Sequence, residues 1–198
     1  VGMGVGDDVA QGRLLRANAA RGRPLGFWGP LPPQGIDGGA DRGAQITHKI
    51  LGAMTQASML LVNGPRVDRE RVREAASLLQ STSPNQLLLA SLDIARLQMA
   101  ENGRETVGRA VRLAERLRRA INAIDGLWSF GPEYMDHPGA TGLDATKITV
   151  QVTGLGLSGV EAEAILRHEY KVQCELSDAR NLLFILSYAD TEEQADYL

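Results

Sequence analysis

The chain has 198 residues, which is enough for one domain, or for one domain and a piece of another. Its formal net charge of −3 argues against a general nucleic-acid-binding protein. Its single cysteine, Cys174, excludes a disulfide framework and a cysteine-based metal cluster, and fits a reducing, cytoplasmic setting. No apolar run is long enough to cross a membrane, and the first residues lack the apolar stretch of a signal peptide.

Residues 1–43 are rich in Gly, Pro, Arg and Asp and are predicted to form a loop-rich segment. The two ends of the chain suggest a fragment. The sequence does not begin with Met, and its last residues, "TEEQADYL", open like a helix, with Thr191 as N-cap and Gln194 three residues later. We therefore interpret the chain as part of a longer protein.

Residues 44–125 are predicted to be mostly helical. One helix covers 68–79, and a second begins with Ser83 as N-cap and runs to 102–103. A further helix follows, because apolar residues recur there with the spacing of one helix face: Val107, Val111, Ala114, Leu117 and Ile121.

Residues 126–198 carry the pattern of a small α/β domain. "KITVQVT" at 147–153 alternates like a half-buried strand, and a capped helix follows from Ser158. Two more strands are predicted at 172–176 and 182–187. The resulting order is β-α-β-β, with a helix beginning at the end.

Lys49 stands out among only three lysines, the others being Lys147 and Lys171. Its neighbours in the sequence are apolar, and burial would favour the neutral amine, which is the nucleophile that forms Schiff bases. The alternative is an ordinary lysine near a helix start whose charged end reaches solvent.

Three hydroxyl residues, Ser81, Thr82 and Ser83, stand at a predicted helix N-terminus, where backbone N–H groups favour an anion such as phosphate. Alone, the segment is read as a well-capped helix. Combined with an activated lysine, it fits an aldehyde cofactor that carries a phosphate, which is pyridoxal phosphate.

"GLGLSG" at 154–159 matches the G-x-G-x-x-G pattern of dinucleotide-binding loops, with Glu175 near the ribose-binding distance. The preceding strand alternates, whereas a central parallel strand is apolar on both faces. A tight turn before a capped helix is the preferred interpretation, and NAD binding the lesser alternative.

Four segments resemble the Orn/Lys/Arg decarboxylase family of fold-type-I pyridoxal-phosphate enzymes: "QITHKILGAMTQASML", "LLQSTSPNQLLLASLDIAR", "ADTEE" and the stretch that runs from "GLDATKITVQ" to "NLLFIL". The resemblance begins near Leu25. It implies an α/β fold in which 44–125 belongs to the transferase-like large domain and 126–198 is a truncated small α/β domain. Residues 1–43 then form a poorly matching remnant of the large domain.

The resemblance also implies a site and a reaction. Lys49 would hold pyridoxal phosphate covalently, with Thr47 and His48 in the same pocket. Ser81–Ser83 would reach the cofactor phosphate, in the neighbouring subunit of a homodimer. Glu175 is a candidate for the cationic end of arginine, lysine or ornithine, and the product would be agmatine, cadaverine or putrescine.

Two positions depart from the family pattern. Ile46 stands where the family has a serine, and Asn18 stands where it has the aspartate that keeps the pyridine nitrogen protonated; Arg21 replaces a histidine. We therefore expect little activity from the chain as given. The alternatives are an inactive remnant that acts through its dimer surface, or another fold-type-I enzyme such as an aminotransferase, for which no clear carboxylate-binding arginine is found.

Overall fold

The computed structural model describes residues 17–18, 31–32, 36, 39–138, 140 and 142–198. The chain divides into two compact units, Met3–Gly103 and Arg104–Leu198 together with Val1–Gly2. They are called here the first and the second unit. Most of the predicted loop-rich segment 1–43 lies outside the described residues, and the predicted domain boundary at 125–126 stays a prediction.

The first unit contains a three-stranded sheet in the order β1-β2-β3. β1 (Ala17–Asn18) pairs parallel with β2 (Arg42–Gln45), and β2 pairs antiparallel with β3 (Met59–Val62). Within the range 44–125, which is predicted to be mostly helical, strand β3 is therefore a feature that the sequence analysis did not predict. The apolar run before and within β3 has no regular period, so the sequence pattern could not distinguish a strand from a helix there.

Helix α1 (Arg69–Leu79) confirms the helix predicted at 68–79. The Asp68 side chain caps it by accepting hydrogen bonds from the backbone N–H groups of Glu70 and Arg71. None of its residues is buried. The helix therefore contributes no side chain to a core among the described residues.

Helix α2 (Gln86–Asn122) is one continuous helix, so the predicted end at 102–103 is wrong. A glycine inside a helix costs only about 1 kcal/mol, and Gly103 is buried within it. The predicted N-cap, Ser83, is also wrong. The Asn85 side chain accepts hydrogen bonds from the backbone N–H groups of Leu87 and Leu88 and caps the helix instead.

The second unit contains an antiparallel sheet in the order β4-β6-β5, formed by β4 (Lys147–Gln151), β5 (Leu176–Ser177) and β6 (Asn181–Ile185). Helix α3 (Gly159–His168) and helix α4 (Glu192–Tyr197) both begin with the predicted capping boxes. The strand predicted at 172–176 shrinks to β5, because the Val172 N–H still bonds the Leu166 carbonyl at the end of α3. The predicted order of elements is confirmed.

The core of the second unit joins α2 to the sheet and the two short helices. All five residues of the predicted helix face are buried, as are Ile148, Val150 and Val152 of the predicted strand. Its largest members from β6 are Leu182 and Phe184. No helix in the described part of the chain has the length and apolar character that a membrane crossing requires.

The "GLGLSG" glycines are explained by packing and turn geometry. A Cβ on Gly154 would lie 2.5 Å from the Gly126 carbonyl oxygen, and Gly156 has φ +76°. A Cβ on Gly159 would meet the backbone carbonyls of Asp178 and Asn181. The strand before this loop lies in an antiparallel sheet, whereas the dinucleotide fingerprint needs a parallel β-α-β unit. The turn interpretation fits this structure, and the NAD alternative lacks its structural context.

Candidate functional site

A short 3-10 turn, Thr47–Lys49, follows β2 and carries three of the predicted site residues. Thr47 is buried, with its hydroxyl 3.4 Å from the Gln45 carbonyl oxygen. Lys49 is exposed, so the burial expected from its apolar neighbours is wrong for this structure. Within the described parts of the chain, the Lys49 amine has no hydrogen bond or ion pair. The amine is therefore available to a ligand.

His48 is held by the loop that returns from the turn to β3. Its Nδ1 lies 3.0 Å from the Ala57 carbonyl oxygen, and its backbone N–H donates to the same oxygen at 3.3 Å. One carbonyl thus fixes both the backbone and the ring of His48. This contact could not be predicted from the sequence, because Ala57 contributes a backbone carbonyl and no polar side-chain group.

The returning loop is itself anchored on α2. The Met54 N–H donates to the Ser91 hydroxyl at 3.1 Å, and the Ala57 N–H donates to the Met54 carbonyl at 3.0 Å. Between them, Gln56 has φ +76°, a left-handed conformation that costs a non-glycine residue about 1 kcal/mol. The sequence offers one indication that Ser91 makes a buried contact, because it is a polar residue on the same buried face of α2 as Ala95.

The segment Ser81–Ser83 lies in the same unit as Lys49, in the exposed connection between α1 and α2. The Ser81 hydroxyl accepts a hydrogen bond from the Ser83 N–H at 3.0 Å. Since Asn85 caps α2, the amides expected to bind an anion are partly occupied. The hydroxyls of Thr82 and Ser83 have no hydrogen-bond partner among the described residues, so these two side chains are the groups left to bind an anion.

Asn18 lies on β1, with its backbone opposite Gly43 of β2. It is therefore on the strand next to the one that leads into Thr47–Lys49. The role expected of the Asn18 side chain stays a prediction. Arg21 lies outside the described residues.

Glu175 lies in the second unit, where its backbone N–H donates to the Leu183 carbonyl at 2.8 Å. It lines a cavity of about 280 Å³ whose other walls include Leu113, Phe184 and Tyr197. The neighbouring Cys174 is buried, and this burial, followed by the charge of Glu163, raises the pKa of its thiol. The residues that line this cavity do not include Lys49, His48 or Ser81–Ser83.

A family model described as Orn/Lys/Arg decarboxylase, major domain, matches residues 40–194, which include β2, β3, the turn, the segment 81–83 and the sheet of the second unit. The chain belongs to this decarboxylase family. An arginine decarboxylase of Halalkalibacterium halodurans is 42% identical over 179 residues, which cover 90% of this chain and 36% of that relative. The chain thus spans about a third of the length of the curated relative.

Solved structures agree with the family assignment. The lysine decarboxylase of Francisella novicida has a TM-score of 0.67 and 26% identity, covering 78% of this chain and 26% of its own. A structure of SPT with PLP has a TM-score of 0.55 and 18% identity, covering 91% of this chain and 44% of its own, and so indicates the fold alone. The predicted fold class, an α/β fragment of a fold-type-I pyridoxal-phosphate enzyme, is confirmed.

Of the residues that the family resemblance implies for the site, Thr47, His48 and Lys49 lie together in one turn. Ile46, which directly precedes the turn, is half-buried, and its carbonyl accepts the Lys49 N–H at 3.2 Å. An isoleucine side chain offers no hydroxyl to an anion at this position.

Proposed function

We propose that the protein decarboxylates a basic amino acid (arginine, lysine or ornithine) with pyridoxal phosphate held on Lys49. The observation that carries this proposal is the turn after β2. It presents an exposed lysine that has no ion pair among the described residues, beside a fixed histidine, in a segment matched by the decarboxylase family. The similarity to an arginine decarboxylase supports the substrate class.

The residues present fit this cofactor in kind. The aldehyde needs a primary amine, which Lys49 offers, and the phosphate needs donors, which the free hydroxyls of Thr82 and Ser83 offer. When bound, pyridoxal phosphate supplies the electron sink for loss of the α-carboxylate. Lys49 would bind the cofactor, and Thr47 and His48 would line its site.

Glu175 is proposed to bind the cationic end of the substrate. Its exposed position beside an apolar cavity supports this role, because such a wall suits the methylene chain of a basic amino acid and a carboxylate suits its charged end. Decarboxylation would then yield agmatine, cadaverine or putrescine, which are polyamine precursors. A cytoplasmic setting, suggested by the single free cysteine, belongs to the same proposal.

A homodimer is also part of the proposal. Three large apolar residues next to Ser81–Ser83 are strongly exposed: Leu78 at 86%, Leu79 at 88% and Leu87 at 68%. Exposed apolar groups concentrated in one segment are typical of protein interfaces. A second copy that covers them would bring Ser81–Ser83 to an interface, as the family resemblance implies.

The cofactor assignment is tested by reduction with borohydride in the presence of pyridoxal phosphate, followed by peptide mass mapping. We expect the pyridoxyl mass on Lys49. The chain's other two lysines, Lys147 and Lys171, are the internal controls, because both lie in the second unit. Label on either of them instead of Lys49 would disprove the assignment.

Asn18 favours a second candidate, an inactive remnant. An asparagine cannot hold the pyridine nitrogen protonated by charge, and losing one such charge costs on the order of 3 kcal/mol, or about a hundredfold in rate. We expect little release of labelled CO2 by the chain as given. The Asn18→Asp, Ile46→Ser double substitution, placed in a full-length homologous scaffold that carries this chain's residues, should restore release. Rapid turnover by the unmodified chain would show that Asn18 does not occupy the aspartate position.

A further inference from the structure

We propose that Gln56 is a positioning residue for His48. Its left-handed backbone directs the Ala57 carbonyl onto the imidazole, which fixes the neutral ring as the Nδ1–H tautomer and leaves the lone pair on Nε2. The tautomer follows from contacts within the chain. Its use at a cofactor site rests on the proposed function.

The tautomer follows from the chemistry of the contact between the His48 ring and the Ala57 carbonyl. A carbonyl oxygen can only accept hydrogen bonds, so the neutral imidazole must carry its proton on Nδ1, 3.0 Å from the Ala57 oxygen. The backbone N–H of His48 uses the same oxygen, which holds the ring and the main chain to one reference point. Among the residues that the structure describes, Nε2 has no hydrogen-bond partner.

The position of Ala57, and with it the placement of its carbonyl beside His48, is set by the turn Met54–Ala57. The Ala57 N–H bonds the Met54 carbonyl, and positive φ occurs at Gln56 but not at Thr55, which is the pattern of a type II turn. Glycine or asparagine is usual at that third position. The turn is maintained with a glutamine at that position because Met54, the first residue of the turn, donates its N–H to the Ser91 hydroxyl of α2.

The consequence concerns the site shared with Lys49. With the lone pair on Nε2, His48 can accept a proton or a hydrogen bond on the side of the ring that faces away from Ala57. In the other tautomer, Nε2 would be a donor, and Nδ1 would place a lone pair against a carbonyl lone pair. The loop 50–57 thus decides whether His48 is an acceptor or a donor toward a ligand at the turn.

The test is nitrogen NMR on the full chain with ¹⁵N-labelled histidine, at a pH where the rings are neutral. The chain has three histidines, so His137 and His168, which are both exposed, serve as internal references, and His48→Gln assigns the signals. We expect Nδ1 of His48 to be of the protonated type and Nε2 of the lone-pair type. The Nδ1–H form should be in roughly tenfold excess, as about one net hydrogen bond supports.

Variants separate Gln56 from general folding effects. Gln56→Gly, which keeps the left-handed backbone, should leave the His48 tautomer unchanged. Gln56→Val, which disfavours it, should move His48 toward a mixture of tautomers and speed hydrogen exchange of its backbone N–H, with the reference histidines unchanged. Ser91→Ala should shift His48 in the same direction through Met54, so a folding failure of the valine variant does not remove the test.

Two results would overturn the proposal. The first is a mixture of tautomers, or the Nε2–H form, in the unmodified chain. The second is an unchanged His48 tautomer in both the Gln56→Val and the Ser91→Ala variants when both are folded. Adding pyridoxal phosphate then tests the function separately. A shift of the Nε2 signal of His48 is expected. An Nδ1–H tautomer that does not respond to the cofactor would count against the proposed function and still support the role of Gln56.

Discussion

The two units of the chain place their apolar residues differently. In the second unit, the predicted apolar faces are buried together, with Leu113 and Ile148 almost fully inaccessible. In the first unit, large apolar side chains of α1 and of the start of α2 are exposed, among them Leu79 and Leu87. The second unit therefore has its own core, whereas the first unit carries the predicted cofactor residues on polar turns and leaves apolar surface for a partner.

This difference matters because exposed apolar surface raises the free energy of a protein in water by about 25 cal/mol per Å². A partner surface that covers the exposed leucines of α1 and of the start of α2 would recover that free energy. Substitutions at matched leucines can therefore distinguish stability that comes from a unit's own core from stability that comes from association.

The largest expected effect is on the core of the second unit. Leu113→Ala should lower the free energy of unfolding by about 3 kcal/mol, because it removes a fully buried side chain and leaves a cavity. Leu79→Ala is the control, since a substitution at this exposed position should change the free energy of unfolding by no more than about 0.5 kcal/mol. Urea unfolding under dilute conditions measures both. Equal losses would contradict the contrast between the units.

A smaller loss is expected in the glycine-rich loop of the second unit. Gly154→Ala should cost about 2 kcal/mol, since its Cβ would collide with the backbone of Gly126. Gly156→Ala should cost about 1 kcal/mol, because its Cβ meets no atom and only the left-handed conformation is disfavoured. Thermal unfolding gives the order of the two.

The same loop provides a test of the NAD alternative. Titration of the unmodified chain with NAD should show no saturable binding. Micromolar binding that is lost in both glycine variants would revive that alternative and would give the second unit a cofactor site of its own.

The contrast also explains how far the sequence could predict the structure. In residues 147–197, the alternation of apolar residues predicts the strands and the capping boxes predict the helices. Ser158 and Thr191 each mark the start of a helix through a local hydrogen-bond pattern. In residues 44–67 the apolar run has no period, and its conformation depends on distant contacts such as Ser91 with Met54. The contacts of His48 could not be predicted from the sequence either, because their acceptor is a backbone carbonyl, which every residue has.

The next effect concerns association and the first unit. Leu78→Ser together with Leu79→Ser should weaken the proposed homodimer by about 1.5 kcal/mol, or roughly tenfold in the dissociation constant, as expected for removing apolar area from an interface. Sedimentation at several concentrations measures it. Leu176→Ser is the matched control, being an exposed leucine of the second unit. A monomer at all concentrations, or an equal effect of the control, would exclude this face as the dimer surface.

The smallest expected effect is a pH dependence at the start of α3. Hydrogen bonds from the Ser158 backbone and hydroxyl hold the pKa of the Glu161 carboxyl below its usual range. A group whose folded pKa is lowered adds stability above its unfolded pKa, near 4.3 for glutamate, and loses it as the pH falls through the folded value. The stability difference between the unmodified chain and Glu161→Gln should therefore be constant at neutral pH and should shrink in acid below roughly pH 4.

Glu169→Gln is the control, because that side chain accepts no hydrogen bond among the described residues and lies at the C-terminal end of the same helix, where a negative charge is unfavourable. Unfolding curves between pH 3 and pH 7 decide the matter. A difference that grows in acid, or an identical profile for both variants, would show that the capping box does not hold the Glu161 charge in solution.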